Sequence, residues 1–369
     1  MGKLIFYNLW HNGDIHFTRS YIRDIMKKTN FDEYQYLHNN NPGILRDIPN
    51  LVYGKTNEYC QDTTIVLRVN NDLYINVWIG FYNSLFNEEV DSPVRTVSGV
   101  LYRFFTHIYE KLGIKLGDER DYVPFIEFDS FDKTKIDTFI ETNKYPKVLV
   151  VNGPVFAYQS VIEINFMDII NRLSEDYPYV QFLLTERIAL DKPNVLFTSD
   201  IAPELMDISY LSMFCDVIFG RSTGPYVFSW MEKNLKDTQK TYICASSKLR
   251  HITWGTKSNC KNVWIEDYNE IYNIVKDELK FLSPITVNDF TIRCVVDRIY
   301  VKPNIDITPE HDVSFYFYTG DRKNWEHKNY VALAGMESWY IPYHGYNCEH
   351  NRIKMEFRTA KNLLFFLDL

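Results

Sequence analysis

Along the first half of the chain, short apolar runs alternate with segments whose apolar residues recur at helical intervals, the pattern of a parallel sheet covered by helices. Residues 4–9 form the first run and predict a buried strand. Over 15–28, Phe17, Tyr21, Ile22, Ile25 and Met26 recur on one face and predict a packed helix. The runs 63–69 and 73–79 flank Asn70-Asn71-Asp72, a turn composition that predicts a hairpin. A second helix is expected over 94–112, with Val97, Val100, Leu101, Phe104, Phe105 and Ile108 on one side. Residues 123–128 then suggest a strand, followed by a short helix ending near Asn143.

A second α/β series begins after Pro146, with strands expected over 147–152, 180–185, 194–198, 216–219 and 241–244. Helices are expected between them over 166–173, 208–214 and 226–232, and a last one over 268–281. From about Pro284 the period changes to alternation, as in 290–296 and 313–318, which predicts a small β-rich module. The expected organisation is therefore a Rossmann-like domain over 1–145, a second over 146–283, and a β-rich accessory module over 284–369. No repeat or low-complexity run interrupts it.

Composition narrows the classes. A chain of 369 residues suits two α/β domains with an appendage, and 46% hydrophobic with 16% aromatic residues is the make-up of a packed protein. The formal charge of -8 argues against a protein that coats nucleic acid, although one or two cations with backbone N–H groups suffice to hold a diphosphate. The six cysteines contain no CxxC pair, so neither a zinc site nor a redox motif is indicated. The chain enters a strand at once, without the features of a signal peptide, and contains no run of eighteen apolar residues. A cytoplasmic protein is expected.

In open α/β sheets ligands bind at the carboxyl ends of strands, which directs attention to three polar clusters. His11-Asn12-Gly13-Asp14-Ile15-His16 joins the first strand to the first helix. Asp14 is either a helix-capping residue or, beside two histidines, a general base, with His11 and His16 as alternative bases. Gly220-Arg221-Ser222-Thr223-Gly224-Pro225 lies between a strand and a helix, where glycine admits a ligand and Arg221 can neutralise a leaving diphosphate. It lacks the Lys-Ser/Thr ending of a P-loop, and a structural turn is the competing reading. The third cluster, Thr185-Glu186-Arg187 with Thr198-Ser199-Asp200, together with Asn152-Gly153, also falls at strand ends.

The order of strand, Gly13-Asp14 loop and helix, followed much later by residues 207–225 ending in Ser222-Thr223-Gly224-Pro225, resembles the GT-B glycosyltransferases, and among them the bacterial lipopolysaccharide heptosyltransferases. That family carries a Gly-Asp in its first loop and an Asp-Ser-Gly-Pro motif at its donor site. Gly13-Asp14 matches the first; Ser222-Thr223-Gly224-Pro225 approximates the second, with Arg221-Ser222-Thr223 where the family has Asp-Ser. The resemblance implies two Rossmann-like domains facing a cleft, and an inverting, metal-independent transfer from a nucleotide-diphosphate sugar, without a cofactor, to a glycan or lipid-linked saccharide acceptor. Asp14 would be the base. Asn152, Gly153, Thr185, Glu186, Arg187, Arg221, Ser222, Thr223, Gly224 and Pro225 would line the donor site, and closure of the cleft would gate turnover. Asn76, Trp78 and Tyr82 are candidates for the acceptor side, because aromatic faces stack on sugar rings. Trp325, Trp339, Tyr340 and Tyr343 are candidates for a sugar platform in the tail. A nucleotide-sugar epimerase on the same architecture and a non-catalytic carbohydrate-binding protein are the competing classes. Peripheral membrane association with a lipid-linked acceptor is compatible with the sequence.

Overall fold

The computed structural model describes residues 2–61, 64–80, 96–143, 145–155, 164–178, 180–245, 254–255, 258–265 and 267–279, and in the tail 290–295, 298–303, 314–320, 326–331, 339–342, 352–358 and 363–368. The chain divides into two compact units, Met1–Asp176 with Gln181–Tyr272, and Tyr177–Val180 with Asn273–Leu369. Both parallel sheets lie in the first.

The first sheet contains β1 (Lys3–Tyr7), β2 (Glu33–Leu37), β3 (Leu51–Gly54), β4 (Val66–Val69) and β5 (Asp72–Asn76), in the order β3-β2-β1-β5-β4. All neighbours are parallel except β4 and β5, which form the expected hairpin with Asn70 at φ 53 in its turn. Its first helix, α1 (Asn12–Lys28), packs Ile15, Phe17, Tyr21, Ile22 and Ile25 inward, and α2 (Val97–Leu112) adds Leu101, Phe104, Phe105 and Ile108. β2 and β3 were not expected: Glu33 and Gln35 break the apolar run of β2, and β3 is only four residues long. The strand expected over 123–128 does not form. Pro124 offers no N–H for a ladder, and the carbonyls of Val123 and Pro124 instead accept bonds from Ser20 Oγ and Glu232 N.

The second sheet contains β6 (Lys147–Val151), β7 (Gln181–Leu184), β8 (Val195–Phe197), β9 (Val217–Gly220), β10 (Thr241–Ala245) and β11 (Lys261–Ile265). The order β11-β10-β9-β6-β7-β8 is wholly parallel. The four central strands β6, β7, β9 and β10 are buried on both faces, which explains why they stand out as apolar runs. Helices α3 (Thr134–Thr142), α4 (Phe166–Asp176), α5 (Leu205–Ser212), α6 (Gly224–Phe228) and α7 (Glu232–Leu235) belong to the same unit. The single helix expected over 226–232 is instead two short ones. The Ser229 carbonyl is taken by Asn234 Nδ2 and Tyr242 Oη, so it is not available to continue a helical ladder.

One core runs through both sheets, joining Leu4, Phe6 and Ile15 to Leu149, Val151 and Ile218. Its seam is α1 against α6 and the residues after it: His16 stacks on Phe228 at 4.5 Å, and Phe17 lies 5.9 Å from both Trp230 and Trp254. Along this seam the two halves are in direct contact through aromatic side chains. A buried ion cluster braces it from the α1 side. Arg19 Nη1 donates to both Asp47 carboxylate oxygens at 2.8 Å, Arg23 Nη2 donates to Asp47 Oδ2 at 2.7 Å, and Arg19 Nη2 reaches the Ile44 carbonyl and Met206 Sδ. Burial pushes the Asp47 carboxyl up, but the two guanidinium groups outweigh it and hold it below its ordinary value.

The second compact unit has antiparallel strands in two sheets. One is ordered β12 (Phe290–Val295), β13 (Arg298–Pro303), β16 (Trp339–Pro342); the other is β15 (Glu326–Val331), β14 (Ser314–Gly320), β17 (Arg352–Arg358), β18 (Leu363–Asp368). The change of period near residue 284 thus marks a change from parallel to antiparallel architecture. Trp339 and Tyr340 lie on β16, opposite Val301 and Tyr300 of β13. Trp325 and Tyr343 lie outside the described residues.

Candidate active site

The strand order of the second sheet is that of dinucleotide-binding folds, in which the chain reverses direction across the sheet between its first and fourth strands, here β6 and β9. Loops leaving such neighbours turn away from each other and open a crevice at the carboxyl edge. The first sheet has a corresponding break between β1 and β5. Four loop starts therefore converge on two switch points: Asn8 to His11 and Asn76 to Trp78 on the first, Asn152-Gly153 and Arg221 to Thr223 on the second.

At the first switch point His11 takes the N-cap position of α1 in extended conformation and makes no side-chain cap bond. Asp14 follows in the first turn without being the cap, its N–H bonded to the His11 carbonyl at 3.1 Å. Its Oδ2 faces His11 Nδ1 at 3.7 Å, with the Asp14 side chain 18% and the His11 side chain 54% exposed. The carboxylate raises the His11 imidazole above its ordinary value, against the lowering effect of partial burial. This is a solvent-facing carboxylate–imidazole pair at a helix start.

His16 is not part of it. The ring is wholly buried, its Nε2 bonds the Trp230 carbonyl at 2.9 Å, and burial, with Arg19 nearby, drives the imidazole down to about 3. The sequence placed it beside Asp14, but two further residues of helix turn it into the core. His38, also buried, is lowered to about 4 by burial alone. Both rings are neutral when folded and take up a proton on unfolding at any pH below the ordinary imidazole value of 6.5. Their contribution is complete above that value and declines as pH falls, by up to about 1.4 kcal/mol per pH unit for each ring, until the folded values are reached. Urea midpoints at pH 7 and pH 5 should differ accordingly; equal midpoints would mean that the two imidazoles charge freely in the folded chain.

The second switch point is tighter. Gly220, the last residue of β9, has φ 144, and a Cβ there would lie 2.1 Å from the Val151 carbonyl oxygen. This close approach lets Arg221 N bond the same carbonyl at 3.0 Å and sends the Arg221 side chain across β6, Nη1 to the Gly153 carbonyl at 3.4 Å and the guanidinium 5.3 Å from the Phe166 ring. Gly220→Ala should therefore lower stability by at least ~1–3 kcal/mol from backbone strain alone, read as a lower urea midpoint at unchanged slope. Thr223 caps α6 with its backbone only; Gly224 and Pro225 open the helix. At five residues α6 has little dipole to offer, so charge at this point comes from Arg221.

Asn152 and Glu186 form an internal clasp: Asn152 Nδ2 donates to the Glu186 carbonyl at 2.9 Å, and its Oδ1 accepts from Glu186 N at 2.8 Å and Thr185 Oγ1 at 3.2 Å. Its side chain thus joins the ends of β6 and β7 and presents Gly153 at the edge. Arg187 lies apart from this group. It is exposed, paired with Asp200, and sits 4.8 Å over Phe197 at the edge strand β8. Thr198 is buried and Ser199 exposed in the same turn. Asn76 is likewise spent internally, its Oδ1 accepting from Trp78 N at 3.0 Å, while Trp78 is half-buried. Tyr82 lies outside the described residues.

The two switch points meet through the seam. A Cβ on Gly13 would lie 3.1 Å from Val227 Cγ1, so the Gly13-Asp14 turn rests on α6, the helix that Thr223, Gly224 and Pro225 begin. Asn8 Nδ2, Asn12 Oδ1 and Thr223 Oγ1 are buried at these loops without a hydrogen-bond partner, a concentration of polar groups with unused capacity. Asn8 and Trp10 were missed in the sequence because a polar loop after a strand carries no sign of which members turn inward; the adjacency of Trp10 to His11 was the available signal.

The architecture is of a class with two parallel-sheet α/β halves, as the GT-B resemblance implies. No family model and no curated protein matches the chain. Among solved structures, it is similar to a glycosyl transferase family 9 protein from Veillonella parvula, at 11% identity and TM-score 0.44 over 78% of this chain and 91% of that one. It is also similar to the E. coli ADP-heptose lipopolysaccharide heptosyltransferase II, at 11% identity and TM-score 0.43 over 76% and 98%. A co-structure of S. aureus MnaA with UDP shows 11% identity and TM-score 0.41 over 75% and 87%.

Proposed function

We propose that the chain is a glycosyltransferase that moves a sugar from a nucleotide-diphosphate sugar to a hydroxyl of a saccharide acceptor, by inversion and without a metal. The observation that carries this is the meeting of the two switch points, an ionisable carboxylate–imidazole pair on one and an arginine flanked by glycine turns on the other. Asp14 accepts the proton of the acceptor hydroxyl as its oxygen attacks the anomeric carbon. The bond from that carbon to the diphosphate oxygen breaks, its electron pair leaves with the diphosphate, and Arg221 meets the developing charge. Gly153 and Thr223 offer backbone and hydroxyl contacts to the phosphates. Among the described residues no helix is long and apolar enough to cross a membrane, and a lipid-linked acceptor would be met by peripheral association.

The test is calorimetric titration of UDP, GDP, ADP, CMP and TDP and their sugars, with and without chelator. One saturable nucleotide, unaffected by chelation, is the expected result; no binding by folded protein would sink the reading, and acceptor-free conversion of a bound nucleotide sugar would make the chain an epimerase. Arg221→Ala should weaken that nucleotide about 10- to 100-fold, the loss of a charged hydrogen-bond donor. An unchanged Kd in that variant would move the diphosphate away from β9.

A further inference from the structure

Trp10 is 48% exposed, whereas Trp230 and Trp254 are buried at 1% and 2%. Its surroundings fix it in place. Its N–H donates to Asn8 Oδ1 at 2.8 Å and its carbonyl accepts from Asn40 Nδ2 at 2.6 Å, so the backbone on both sides of the ring is tied down. The indole leans on Trp78, with centroids 5.0 Å apart and the planes 32° from parallel. Trp78 in turn lies against the backbone of Gly80, where an added Cβ would fall 2.3 Å from Trp78 Cζ2 and has no room. Trp10 also approaches the His11 ring at 6.2 Å, and His11 faces Asp14 at 3.7 Å. Gly80, Trp78, Trp10, His11 and Asp14 are thus successive neighbours at the first switch point.

A half-exposed indole, packed against a second indole and neighbouring the histidine that faces a carboxylate, has the form of a stacking surface for a flat, partly apolar ring whose edge carries hydroxyls. A pyranose fits this description: its C–H face lies on an aromatic ring while its hydroxyls project sideways. An acyclic polyol has no such face, and a purely apolar chain has no hydroxyl to present to Asp14. Resting on the glycosyltransferase reading for the role of Asp14, we propose that Trp10, supported by Trp78, is the acceptor platform. The acceptor is then a pyranose-terminated saccharide, held by stacking on Trp10 with the reacting hydroxyl turned toward Asp14. Gly80 is part of the device because a side chain there would collide with the Trp78 ring as it stands.

The experiment follows the indole N–H resonances of the full chain, with Trp10 assigned through Trp10→Phe, during titration with methyl β-glucopyranoside, methyl α-mannopyranoside, cellotriose and mannitol. The expected result is a saturable shift of the Trp10 resonance with at least one cyclic sugar and none with mannitol. Trp10→Ala should weaken that sugar about tenfold, with Trp10→Tyr recovering most of the loss and all three proteins melting together. In a transfer assay using the nucleotide sugar found by calorimetry, Trp10→Ala should raise the acceptor KM far more than it lowers kcat. No Trp10 shift with any cyclic sugar, an equal shift with mannitol, or an unchanged acceptor KM would each overturn the platform. The two readings fail separately: nucleotide binding without a Trp10 response removes the platform and leaves the transferase, whereas a Trp10 response without nucleotide binding leaves a saccharide site on a protein that is not a nucleotide-sugar transferase.

Discussion

Asp14→Asn is expected to lower the rate of transfer ~10²–10⁴-fold, the usual worth of a positioned general base, while the nucleotide binds as before. The separation follows from the fold. Asp14 sits at the first switch point and Arg221 at the second, so removing the carboxylate leaves the Arg221 side chain, the proposed diphosphate contact, in place. The substitution is nearly isosteric, and Asp14 holds no cap that its loss would release, since His11 occupies that position and the chain bonds there through the backbone. A second readout identifies the cause. With the carboxylate gone, the His11 imidazole loses the partner that raises it and should titrate at a lower pH, which imidazole NMR resolves directly. Full turnover in Asp14→Asn, with the His11 titration lowered, would transfer the role of base to His11.

The largest expected stability effect is at Asp47. Asp47→Ala should cost ~3–5 kcal/mol, because it leaves the guanidinium of Arg19, wholly buried, and that of Arg23 facing each other without a counter-charge. Urea unfolding at pH 7 would show the loss as a lower midpoint. Replacing the whole cluster at once, as Arg19→Met, Arg23→Met and Asp47→Leu, should cost less than the single change, since desolvated charges are removed together with their partner. A triple variant less stable than Asp47→Ala would mean that the cluster contributes through its bonds to Ile44 and Glu127 rather than through charge pairing.

Much of the scaffold was legible because burial writes a plain signal. Strands covered on both faces, such as β6, β9 and β10, must be apolar throughout, and they were read correctly. β2 and β11 were not, because their exposed or half-buried positions carry polar residues and weaken the pattern, and β3 was not because its four residues make too short a run. The segment 123–128 had strand-like composition without a strand to pair with, and pairing is a tertiary fact. The clusters after strands were found by the same logic of carboxyl ends, yet composition could not tell which side chains face outward. Asn152 and Asn76 carry amides suited to ligands and spend them on their own loops. His16 differs from His11 only by its place on the helix, five residues on, and that rotation decides between solvent and core.

The aromatic seam between α1 and α6 has a consequence for how the first unit exists at all. Phe17, Phe228, Trp230 and Trp254 belong to one core to which both sheets contribute, so cutting the chain between the sheets would strip each piece of part of its own interior. Neither half would survive as a fragment: gain and loss of structure must run through both sheets together, and the residues that meet at the switch points are brought into register by the act of folding itself.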